Sequence, residues 1–271
     1  MAEKKWKEYL TEELEGKRLL GMIPKDRIVK VRIKRPPKRV AEEFLKLEDV
    51  SSTVSDVLDS LGYTKNVIPA TILKPINPGQ GKKIAGPAIT LKNVIDSTSV
   101  GLGYEKHLDF KHGAEREAYQ LGEPGDVVVI DGGGYDISNM GGLSACVAKA
   151  KGLGGNIVNG AVRDVELIRK TRYPVWSRGY TPITGKFRYE AMALNAPIEC
   201  AGVKVTPGDF IVADDSGVAV IPADIVEKVL ELAVRWTAIE DELIRAIEKH
   251  GYDIDEIMRL TTKRYVEAVH K

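Results

Sequence analysis

Residues 125–164 read GDVVVIDGGGYDISNMGGLSACVAKAKGLGGNIVNGAVRD, and the fold is decided there. Val127 to Ile130 is a short apolar run set between Asp126 and Asp131, followed by Gly132-Gly133-Gly134. That pattern predicts a strand buried on both faces. A second turn, Asn139-Met140-Gly141-Gly142, opens a helix through Lys151, because Leu143, Cys146, Val147 and Ala150 recur at helical spacing. Gly152 to Gly155 stops it, Ile157-Val158 forms the next strand, and Gly160-Ala161-Val162 delivers Arg163-Asp164. Two strand-to-loop transitions thus bring backbone N–H groups, a guanidinium and a carboxylate to one end of a sheet, where open α/β sheets hold ligands.

Outward from this stretch, residues 5 to 20 are helix-forming, and Arg27 to Ile33 alternates like a short strand. Lys34 to Arg39, with Pro36-Pro37, reads as a solvated linker rather than a nucleic-acid contact. The core begins near Val40. A helix capped by Ser51 or Ser52 runs through Ser60, strands follow over Val67 to Ile76 and Ile84 to Ile95, and Ala114 to Leu121 is helical. Val165 to Lys170 is a short helix, Pro174 to Trp176 a strand, and Ser177 to Lys186 a loop. Gly208 to Pro222 is a β-hairpin turning at Asp214-Asp215-Ser216-Gly217, and a final core helix carries Ile225, Val226, Val229 and Leu230. From about Trp236, two amphipathic helices broken at Gly251 complete the chain. The expected organisation is an N-terminal arm (1–39), a core domain (40–235) and a C-terminal helical extension (236–271).

Composition excludes several roles. Forty basic and 39 acidic residues leave a formal charge of +1, so no global field favours nucleic acid or anionic membrane. Abundant Lys, Glu and Arg with only Gln80 and Gln120 lean towards a thermophile. Cys146 and Cys200 read as unpaired residues of a reducing compartment. No apolar run reaches the length of a membrane span and no signal peptide opens the chain, so a cytoplasmic location is expected.

The candidate chemistry concentrates in few residues. Consecutive glycines at a helix start let a ligand approach and aim N–H donors at an anion, although tight turns need glycine anyway. The first glycine turn does not fit a dinucleotide fingerprint, since the last required glycine is replaced by Ile137. Arg163 offers a planar fork for a carboxylate and Asp164 a hard oxygen for Mg²⁺ or Mn²⁺. Equally, Asp164 could cap the following helix while Arg163 makes a surface ion pair. The two can share a site only at a helix start, because adjacent residues on a helix diverge by about 100°. His107 and His112 are spaced against shared metal binding on one helix, His250 and His270 fall in the C-terminal helices, and Asp214-Asp215 is explained by its turn. Lys92, as a Schiff-base lysine, is not distinguished from its neighbours.

From Leu47 to Ala233 the chain resembles the RraA-like family, which includes divalent-metal-dependent 4-hydroxy-4-methyl-2-oxoglutarate aldolases and protein regulators of ribonuclease E. The resemblance rests on Ser55 to Gly62, Gly86 to Thr90, Gly125 to Gly134, Gly141 to Ala145, Gly160 to Asp164, Pro174-Val175 and Gly202 to Pro222, in that order and spacing. It implies an α/β fold, the swivelling β/β/α domain, assembled as trimers or hexamers with sites at subunit boundaries. It also implies substrate-binding amides at Gly141, Gly142, Leu143 and Ser144, a substrate-binding Arg163, and Asp164 as ligand of Mg²⁺ or Mn²⁺. The implied activity is retro-aldol cleavage or oxaloacetate decarboxylation of a 2-oxo acid, with release of pyruvate. The alternative is a non-catalytic, protein-binding regulator. One departure bears on that choice: the aldolases carry Asp where this chain has Gly142, and Gly there resembles the regulator branch.

Overall fold

The computed structural model describes residues 17, 19–96, 113–186 and 188–269. The helix expected over residues 5 to 20, His107, His112 and His270 therefore lie largely or wholly outside the described residues. Nine strands form one twisted sheet in the order β1-β11-β10-β3-β4-β5-β6-β2, with β7 also on β3. They span Val67–Pro69 (β1), Lys74–Pro75 (β2), Ile84–Ile95 (β3), Val127–Asp131 (β4), Gly155–Val162 (β5), Val175–Tyr180 (β6), Tyr189–Leu194 (β7), Phe210–Ala213 (β10) and Gly217–Ile221 (β11). A separate hairpin pairs Ile198–Cys200 (β8) with Val203–Val205 (β9).

β3 joins two halves of the sheet. Its first residues pair antiparallel with β10, from Ile84↔Ala213 to Pro87↔Phe210. Its later residues pair parallel with β4, from Ala88↔Val127 to Lys92↔Asp131. β4, β5 and β6 continue in parallel, so their C-terminal ends share one edge.

Side-chain alternation builds the layers. Val128, Ile130, Val158 and Val162 face the helices α3 (Ala114–Leu121), α4 (Gly142–Ala150) and α5 (Val165–Thr171) through Ala118, Ala145, Ala148 and Ile168. Val127, Val129, Ile157 and Trp176 point the other way, against Cys200, Val203, Ile211 and Val220. The outer face of β10 and β11, with Phe210, Val212, Ala219 and Ile221, lies under α1 (Lys38–Lys46), α2 (Val50–Ser60) and α6 (Val226–His250). This is the mixed α/β architecture expected, two β layers flanked by helices.

Several local expectations change. Val67 to Ile76 is not one strand: β1 pairs with β11 and β2 with β6, so the chain leaves one half of the sheet for the other. Arg27 to Ile33 forms no strand: among the described residues its one bridge is Ile28↔Leu194, at the end of β7. Ile23, Ile28 and Ile33 are buried nonetheless. The linker is shorter and less solvated than expected. Arg35 grips buried Asp126 with Nε at 3.0 Å and Nη2 at 2.8 Å, and α1 starts directly after Pro37. β6 extends to Tyr180 into the expected loop, and β7 was not signalled at all. α6 runs unbroken through position 236, where Trp236 joins the same core as Phe44 and Phe210; α7 (Ile254–Val269) follows Gly251. Among the described residues no helix is long and apolar enough to cross a membrane.

Candidate functional site

Arg163 and Asp164 occupy the two residues between β5 and α5, the helix start that a shared site requires. The Arg163 N–H donates to the Met140 carbonyl at 3.1 Å, which fastens this turn to the one before α4. Asp164 adopts left-handed backbone, with φ 56° and ψ 43°. Such a conformation costs an aspartate free energy and persists where surrounding contacts hold it. Its carboxylate does not cap α5. Oδ2 instead accepts from the Gly142 N–H at 3.2 Å and lies 3.5 Å from Arg163 Nε.

The glycines of the second turn are explained by this packing. A Cβ on Gly141 would sit 2.7 Å from Asp164 Oδ2 and 3.2 Å from Arg163 Nε. At Gly142 it would meet Leu167 of α5 at 2.6–2.7 Å. Gly141 is the N-cap of α4, so the N–H groups of Gly142, Leu143 and Ser144 have no acceptor within the helix. The partial positive charge of the helix start therefore lies beside Arg163 and Asp164.

Gly141, Leu143, Ser144, Arg163 and Asp164 line a cavity of about 240 Å³, together with Met22 of the arm, Asn139, Lys186 and Tyr189. Gly142 backs the wall without lining it. One further carboxyl completes it. Glu115, in the first turn of α3, accepts from Ser144 Oγ at 2.8 Å. Burial raises its pKa above the ordinary glutamate value; the Ser144 hydroxyl and nearby Arg116 oppose that shift. The sequence predicts only a helix here, because no motif ties Glu115 to the first turn of α4, 29 residues away. Contact through Ser144 is the only signal.

The donor set bears on metal binding. Among the described residues no group of three His, Cys, Asp or Glu side chains converges. A closed protein cage is therefore absent from them. A half-exposed single carboxylate at a cavity fits Mg²⁺ or Mn²⁺, which keep waters and take ligands from substrate.

The other candidates resolve into architecture. Gly133 and Gly134 take φ 70° and 78°, and Gly133 N–H donates to Asp131 at 2.9 Å. Asp131 pairs with part-buried Lys92 and accepts from Asn159 at 2.8 Å, and neither Lys92 nor Asp131 lines the cavity. Asp214 accepts from Ser51 N–H at 2.8 Å and Ser216 N–H at 2.9 Å, so it joins the hairpin to α2. Cys146 and Cys200 are both free thiols.

Comparison with known proteins gives consistent relatives. A model of the RraA-like family, described as Aldolase/RraA, matches residues 51–220. The protein DlpA of Legionella pneumophila is 34% identical over 73% of this chain, which spans only 30% of DlpA's length. A Halalkalibacterium halodurans protein, provisionally named a 4-hydroxy-4-methyl-2-oxoglutarate aldolase, is 32% identical over 73% of this chain and 84% of its own. Among solved structures, Streptomyces coelicolor RraAS2, described as an unusual member of the RNase ES inhibitor RraA family, superposes with TM-score 0.64. It is 24% identical and covers 78% of this chain and 98% of its own. That last likeness concerns the fold.

Proposed function

The chain belongs to the RraA-like family, and from that footing we propose that it is a divalent-metal-dependent lyase cleaving a 2-oxo acid to release pyruvate. One observation carries the reading: Arg163, Asp164 and the N-terminus of α4 line a single cavity. Arg163 binds the substrate carboxylate through its planar fork, and the α4 amides share that negative charge. Asp164 holds Mg²⁺ or Mn²⁺ through its cavity-facing carboxylate. When bound, the ion supplies a Lewis acid for charge developing on the keto oxygen. Retro-aldol cleavage of 4-hydroxy-4-methyl-2-oxoglutarate and decarboxylation of oxaloacetate both generate that charge, so one site serves both.

The same reading places the cavity at a subunit boundary of a trimer or hexamer. Leu143 and Val147 on α4 and Leu167 on α5 remain 64%, 44% and 36% exposed beside it, which suits a partner surface. Gly142 favours a second reading, a non-catalytic regulator, because the aldolase carboxylate is replaced there.

The test is pyruvate release from both substrates with Mg²⁺ or Mn²⁺ and with chelator. The lyase reading expects metal-dependent turnover that Asp164→Ala abolishes. Turnover indifferent to chelator or to Asp164→Ala refutes it.

A further inference from the structure

An aldol cleavage needs a base for the C4 hydroxyl, and position 142 cannot provide one. It lacks a side chain, and the room for one is filled by Leu167 at 2.6–2.7 Å. Across the same cavity, Glu115 presents the carboxyl of a first-turn helix residue, and its one side-chain partner among the described residues is Ser144. Ser144 lies two positions after Gly142, within the first turn of α4. Its hydroxyl donates to Oε1. That bond holds the carboxyl in the cavity wall.

We propose that Glu115 is the general base of the cavity, a role that rests on the lyase reading above. Its carboxylate takes the proton from the C4 hydroxyl of a 4-hydroxy-2-oxo acid. The O–H electron pair becomes the new C4 carbonyl, and the C3–C4 pair passes into the enolate of C2–C3. Glu115, now protonated, returns the proton to C3. The products are pyruvate and the oxo compound formed from C4, with no redox partner needed. Ser144 is a positioning residue for Glu115.

The raised pKa set by burial suits this use, since a base works best when its pKa approaches the operating pH. Among the described residues, the charged groups around the cavity are Arg116 on α3 itself, Arg163 and Asp164 between β5 and α5, and Lys186. Burial, the first cause of the shift, outweighs Arg116.

Decarboxylation separates Glu115 from the rest of the site, because loss of CO₂ needs no base and the enolate can be protonated by water. Glu115→Gln keeps the shape and the Ser144 hydrogen bond. In the whole 271-residue chain it is expected to lower kcat for 4-hydroxy-4-methyl-2-oxoglutarate about 100-fold or more while oxaloacetate decarboxylation stays within about threefold. Asp164→Ala is expected to lose both. Ser144→Ala removes a hydrogen bond that favours the carboxylate, so the ascending limb of the aldol pH profile moves to higher pH. Cleavage by Glu115→Gln at the wild-type rate overturns the assignment, as does an equal fall in both reactions. If the wild type catalyses neither reaction, the lyase reading itself fails and Glu115 falls with it.

Discussion

Placing aspartate at position 142 asks whether the missing carboxylate is a simple substitution or a repacked corner. A Cβ there lies 2.6–2.7 Å from Cδ2, Cβ and Cγ of Leu167. Carbon pairs rest at about 3.5–4.0 Å, so roughly 1 Å must be found at three atoms. Leu167 is partly exposed and can yield at one side. Gly142→Asp is therefore expected to cost about 1–3 kcal/mol, the range of an overpacked site. In a chain of this size that lowers Tm by about 2–12 °C. Leu167→Ala alone should cost about 1 kcal/mol or less, since that side chain is only partly removed from water. The double variant should regain stability over the sum of the singles, with a coupling of about 0.5–3 kcal/mol. Thermal melts and denaturant titrations of the four proteins measure this. The reasoning is refuted if Gly142→Asp melts with the wild type, or if its penalty is unchanged when Leu167 is alanine.

Two further outcomes follow from the same contacts. Arg163→Lys keeps the charge but loses the fork, so KM for a 2-oxo acid should rise about 10- to 100-fold in steady-state assays. Arg35→Ala strands Asp126, which is 1% exposed, and should cost about 3 kcal/mol at neutral pH. Burial already holds the Asp126 carboxyl above the ordinary aspartate range, despite Arg35. The folded state thus binds that proton more tightly than the unfolded state, and this contribution to stability is present in acid and lost as pH rises through the raised value. Denaturation of Arg35→Ala between pH 7 and pH 4 should therefore show a smaller deficit at the acid end, whereas a constant deficit would show that the ion pair is not its cause.

Most of what could be read in advance was periodic or sterically forced. The Val127 to Ile130 run is a strand buried on both faces because a helical layer and a β layer enclose it. The turn at Asp214 to Gly217 declares its hairpin, and the spacing after Gly160 sets Arg163 and Asp164 at a helix start. β7 was hidden because Tyr189–Leu194, YEAMAL, favours helix by propensity, and only the free edge of β3 makes it a strand. The break in Val67 to Ile76 depends on which distant strands accept each end. Glu115 belongs to that second kind: its place in the cavity comes from how α3 and α4 pack on the sheet, a contact without a local pattern.

The proposed site is tested most directly by locating the ion. Crystals soaked with Mn²⁺ and oxalate, a mimic of the pyruvate enolate, should give an anomalous peak about 2.0–2.2 Å from a carboxylate oxygen of Asp164. The oxalate should bridge that ion and the Arg163 guanidinium beside the start of α4. A manganese peak away from Asp164, or oxalate bound without either residue, would contradict the account.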